Sequence, residues 1–142
     1  MGDLIRPVPA RRHPMQVFVA ALCALSGVPI LFGGPRPGSV NEALPDALVF
    51  VWAAVLVAGG LAVVVAAVLR SPVTALYFES AAELPLAIMC AVYAASVLSF
   101  GGLNALVPAA IVSAAGAAFA VRSWQVFATI RALRRLLTEG GR

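Results

Sequence analysis

Between Met15 and Val121 the chain carries only six charged residues, Arg36, Glu42, Asp46, Arg70, Glu79 and Glu83, and only the last two fall inside apolar sequence. The rest of that stretch divides into four apolar runs of roughly 20 residues or more, the length that crosses a hydrocarbon core. In lipid, backbone polar groups must bond within the segment, so such runs fold as helices. With 62% hydrophobic residues, 11% charged residues and a mean hydropathy of +0.99 over 142 residues, the chain has too little polar side chain to coat a soluble core of its size. The expected fold is all-α, a four-helix transmembrane bundle forming a single domain over 1–142.

Residues 1–14, MGDLIRPVPARRHP, hold three prolines, three arginines and the only histidine, His13, and predict an irregular cytoplasmic tail ending where Pro14 starts a helix. Arg11-Arg12 lacks the context of a twin-arginine export signal, and Leu22 stands where a lipobox before Cys23 needs a small residue. A basic flank before an apolar run has the form of a signal peptide, but three further spans follow, so an uncleaved first helix is expected over 15–32. Gly27 and Pro29 lie in its last third, where proline bends a helix. The turn-rich stretch GGPRPGSVNEALP, 33–45, is expected to be the outer loop. A second helix is predicted over 46–69, with Asp46 at its positive end, Phe50 and Trp52 as interface aromatics, and Gly59 and Gly60 thinning it near mid-bilayer for a neighbour. Arg70-Ser71-Pro72 reads as a cytoplasmic turn and 73–100 as the third helix, which Gly101, Gly102 and Asn104 turn back. The fourth helix, 103–137, is too long for one crossing, so its second half extends into the cytoplasm.

All ten basic residues are arginine. In this arrangement Arg6, Arg11, Arg12, Arg70, Arg122, Arg131, Arg134, Arg135 and Arg142 share one side and Arg36 stands alone on the other. The positive-inside bias then puts both termini in the cytoplasm. A sequence pI near 10 reads as topology and affinity for anionic headgroups, with no nucleic acid expected, because the cations flank apolar spans. The absence of lysine beside heavy use of Ala, Val, Leu, Gly and Arg suggests a high-GC genome such as an actinobacterial one, and hence a bacterial plasma membrane.

Glu79 and Glu83 lie four apart and so on one helix face. Folding helices three and four into an antiparallel hairpin brings Arg122 to them: Glu83 is 17 residues and Glu79 is 21 residues before Phe100, and Arg122 is 19 after Leu103. A lone charge at mid-bilayer costs about 2.5 to 3.5 kcal/mol on insertion scales, pairing reduces that, and a guanidinium can fork to two acids. The cluster therefore either pins the hairpin register or, in Glu83, carries protons or a cation. Pro85 removes the donor for the Ala81 carbonyl and is expected to kink helix three, with Ser80 or water bonding the freed oxygen. In helix four, Ala109, Ser113, Gly116 and Ala120 form a small-residue packing ridge beside Ala110, Ala114 and Ala117, for a partner helix in the same chain or in a second copy. Beyond Arg122, Trp124, Phe127 and Ile130 follow one side, and Arg131, Arg134 and Arg135 add charge for lipid headgroups or a cytoplasmic partner before Glu139-Gly140-Gly141 stops the helix. Cys23 and Cys90, at similar depth, read as small buried hydrophobes rather than a disulfide or metal pair. No nucleotide-binding, zinc or hydrolase motif is present, so no catalytic residue, cofactor or metal is expected.

The four-span layout, a glutamate early in span three, and the ending Arg122-Ser-Trp124-Gln125-Val-Phe followed by Arg131, Arg134 and Arg135 resemble small four-helix integral membrane proteins of actinobacterial phages and prophages. The likeness extends over most of the chain in layout and over the RSWQ segment and arginine tail in residues. It implies a host inner-membrane location. The functions that follow are a non-enzymatic, holin-like or lysis-associated membrane protein; a small transporter or channel subunit using Glu79, Glu83 and Arg122; or a scaffold recruiting a partner through the arginine-rich tail.

Overall fold

The computed structural model describes residues 14–69 and 71–139. The expectations for the tail up to His13, for Arg70 and for Gly140-Gly141 lie outside the described residues, as do the side chains of Arg134 and Arg135. The fold is an all-α bundle of four long helices: α1 (Pro14–Leu31), α3 (Asp46–Val68), α4 (Pro72–Gly101) and α5 (Leu106–Glu139), with a short α2 (Gly38–Ala43) and a 3-10 turn (Gly102–Ala105). Three helical stretches are long and apolar enough to cross a membrane: Pro14–Leu31, Asp46–Val68 and Val73–Ala132, the last folded back on itself at the 3-10 turn.

Local chemistry ends and starts these helices. After α1, Gly33 takes a φ of 75° and donates to Ile30 O, while Gly34 donates to Pro29 O at 2.8 Å. This paired closure satisfies carbonyls that a helix end leaves free, and only glycine takes that backbone angle without strain. Asp46 opens α3 in an ion pair with Arg36. Ser71 caps α4 by accepting from Thr74 N, and Pro72 occupies the first turn, where no donor is needed.

The helices pack in the order α1, α3, α4, α5, and the ring is nearly open on its fourth side, where α1 and α5 touch only briefly. Glycines set the close approaches. A Cβ at Gly60 would fall 2.9 Å from Ala24 Cβ, one at Gly27 2.7 Å from Ala53 O, one at Gly59 3.0 Å from Leu86 Cγ, and one at Gly116 3.0 Å from Cys90 Cβ. Gly60 thus seats α1 on α3, and Gly59 seats α4, as small residues do where lipid supplies no hydrophobic drive. Phe18, Leu25, Phe50, Leu61, Val107 and Ile111 point outward from all sides of the bundle. An apolar exterior of that kind suits hydrocarbon and not water.

Several details differ from the sequence reading. The 33–45 loop contains α2, because Val40, 1% exposed, is drawn into the core and Pro37 O accepts from Val40 N and Asn41 N. Trp52 is not an interface residue: it is buried, stacks on Tyr93 at 5.8 Å between centroids, and donates from Nε1 to Met89 O. Two residues apart on a helix means nearly opposite faces, so Phe50 faces out when Trp52 faces in. Ser80 Oγ, ahead of Pro85 on α4, donates to Tyr77 O rather than to the Ala81 carbonyl. On α5, Ala109 and Gly116 are buried against α4 while Ser113 and Ala120 are exposed. The ridge runs along the edge of the buried face, whose centre is marked by Phe119 and Val126.

Candidate functional site

The chain's buried charge gathers near the end of the bundle where α1 and α4 begin. Glu79 and Glu83 stand one turn apart on α4, at 4% and 1% exposure, and the α4–α5 hairpin brings in Arg122 at 9%. Arg122 Nη2 donates to Glu79 Oε2 at 2.9 Å, a charge-assisted bond between adjacent helices. The guanidinium does not fork to both acids. Glu83 Oε1 instead accepts from Gln16 Nε2 at 3.0 Å, and Glu83 Oε2 is buried with no hydrogen-bond partner among the described residues.

Gln16 is the residue that sequence reasoning missed. Its signal was available, since it is the first polar side chain inside an apolar run and lies two positions after Pro14. Spacing within α1 could not say which helix it meets. Among the described residues no Cα of α1 comes within 8 Å of one in α4, so the Gln16–Glu83 bond spans the diagonal of the bundle. Glu83 itself is buried, at 1% exposure, beneath that contact.

The open seam between α1 and α5 leads toward this cluster. A groove of about 500 Å3 is walled by Gln16, Val19, Phe119, Arg122 and Gln125. Further along the same seam lies an apolar cavity of about 390 Å3 with Trp52, Tyr93 and both cysteines in its wall. Cys23 and Cys90 are free thiols that both line this cavity. A disulfide needs Cα atoms under about 7 Å apart, and the separation of α1 from α4 exceeds that. Among the described residues no group of three or more His, Cys, Asp or Glu stands together to hold a metal ion.

Further along α5, Trp124 is exposed and the Arg131 guanidinium sits 5.7 Å from its ring centroid. That stacking places a cation and an amphipathic ring on one outward face, the combination suited to a headgroup layer. Chemically, then, the structure has two devices. Glu79–Arg122 is a closed ion pair that fixes α4 against α5; Glu83 is a carboxyl with one matched and one unmatched oxygen.

No protein family, curated protein or solved structure matches the chain.

Proposed function

We propose that this chain is a multi-pass protein of the bacterial plasma membrane, with four crossings, both termini in the cytoplasm and α5 continuing into the cytoplasm. In this reading it is non-enzymatic, of phage or prophage origin, and acts by self-association in the manner of a holin. At 34 residues, α5 is about 51 Å long, well beyond a hydrocarbon core of about 30 Å, which supports the cytoplasmic extension. The one-sided distribution of arginine supports the orientation.

One observation carries the self-association. The side of α5 between Ser113 and Ala120 is small and exposed, with Ser113, Ala114, Ala117, Ala118 and Ala120 all exposed. In lipid a surface of that kind gains little from acyl chains and packs closely against another helix. The test is induced expression in a bacterial host with membrane potential followed by dye. The expected result is an abrupt, complete collapse whose timing shifts in Ser113→Leu and Ala117→Leu and is unchanged in Glu83→Gln. Steady growth with full potential in the parent, at confirmed membrane abundance, overturns the reading.

The unmatched Glu83 oxygen favours a second reading, a small transporter or channel subunit using Glu79, Glu83 and Arg122. It predicts a graded leak in the parent that Glu83→Gln abolishes.

A further inference from the structure

Glu83 Oε2 is the one fully buried side-chain polar atom among the described residues that lacks a hydrogen-bond partner. A charged carboxylate oxygen in that position forfeits its solvation with no hydrogen bond in return, at a cost of several kcal/mol in apolar surroundings. The acid form resolves the conflict with a single atom. A metal cation would need several oxygens around it, and the groups facing Glu83 do not supply them: α1 presents the Gln16 amide through its nitrogen, α4 presents Glu79, and α5 presents Arg122, already bonded to Glu79.

Access has an equally specific geometry. Gln16 both bonds Glu83 Oε1 and forms part of the wall of the α1–α5 groove, so it stands between that groove and the carboxyl. The groove opens on the bundle's incomplete side, where α1 and α5 barely meet, and its apolar wall of Met15, Val19 and Phe119 gives way to polar Gln16, Arg122 and Gln125.

We propose that Glu83 is a proton-exchanging carboxylic acid inside the bundle, reached sideways from the lipid through the α1–α5 groove, with the Gln16 side chain as its gate. This deepens the reading that Glu83 is functional and rests on membrane embedding. It does not require that the protein conduct, since the exchange can take place on a closed bundle.

A hydrophobic carbodiimide tests both the acid and the route. Its central carbon is attacked by the carboxyl oxygen while the acid proton moves to a carbodiimide nitrogen; the O-acylisourea then rearranges by oxygen-to-nitrogen acyl migration to a stable N-acylurea, and nothing leaves. Native membranes containing the full chain are treated with dicyclohexylcarbodiimide or with a water-soluble carbodiimide, and the labelled residue is located by peptide mass spectrometry. Embedding is checked separately by retention in the membrane after alkaline carbonate washing, so that failure of the placement and failure of the acid are told apart.

The expected result is labelling at Glu83 by the hydrophobic reagent alone, diminishing as pH rises because only the acid form reacts. Glu83→Gln loses the label. Gln16→Leu speeds labelling about fivefold, the factor that loss of one hydrogen bond gives in an equilibrium. Gel filtration of each variant confirms that it remains folded, and Gln16→Asn, too short to hold the gate closed, provides a second variant of the same sign. In carbonate-resistant membranes, label on Glu79 in place of Glu83, equal labelling by the water-soluble reagent, or unchanged rates in both folded Gln16 variants overturns the proposal.

Discussion

Replacing Arg122 with methionine keeps much of the side-chain volume and removes the charge, which isolates the worth of the buried pair. At 2.9 Å and an effective dielectric of about 20 the gross attraction between Arg122 and Glu79 is about 6 kcal/mol. Desolvation of both groups consumes most of it, because their side chains are only 11% and 6% exposed. Breaking a pair is costlier than lacking one, since the remaining charge stays buried, and such breaks cost about 3–5 kcal/mol. Glu79 makes a further interaction in the chain, which places the expected loss for Arg122→Met at about 3 kcal/mol, the low end of that range. The double variant Arg122→Met/Glu79→Gln is expected within about 1 kcal/mol of the parent, and so about 2 kcal/mol more stable than Arg122→Met alone. The assay is equilibrium unfolding of the purified full chain in mixed micelles across all four members of the cycle. A single variant indistinguishable from the parent, or a double variant as unstable as the sum of its parts, would falsify the account of the pair as a register pin.

Two further perturbations probe the packing. Gly60→Val puts a branched side chain where Ala24 Cβ lies 2.9 Å from an added Cβ, so α1 must move; a loss of about 1–3 kcal/mol is expected in the same unfolding assay, together with slower formation of cross-links between α1 and α3. Trp52→Ala empties the site stacked on Tyr93 and should cost about 3–5 kcal/mol, whereas outward-facing Phe50→Ala should stay within about 0.5 kcal/mol; equal effects at the two positions would contradict the assigned faces.

The helices were legible because lipid-length apolar runs leave few alternatives, and the breaks at 33–45 and 101–102 are marked by glycine and proline. The meeting of Glu79 with Arg122 was legible too, because an antiparallel hairpin with a short turn fixes depth by counting. Sequence left out what depends on rotation about a helix axis. The runs are apolar on every side, so nothing in periodicity told Trp52 from Phe50, or Ala109 from Ser113. Nor did local spacing say that Gln16 crosses the bundle to Glu83, since α1 and α4 are not neighbours in the ring. Val40 shows the same limit in the loop: an apolar residue among turn formers looks incidental until it is seen buried in the core, with α2 packed on α4.

The order in which the helices pack has a consequence for assembly during synthesis. Each long helix rests chiefly on its chain neighbours, α1 on α3, α3 on α4 and α4 on α5, so each can dock as soon as it leaves the ribosome and no early helix waits for a late one. Such nearest-neighbour order closes loops cheaply and favours rapid folding. The exception is the Gln16–Glu83 bond, whose partners are 67 residues apart. It cannot form until α4 has entered, and it then ties the first helix made to the third long one. A nascent chain stalled before Glu83 therefore holds its first two long helices together by apolar packing around Gly27 and Gly60, and α1 gains its polar tether only when the next helix arrives.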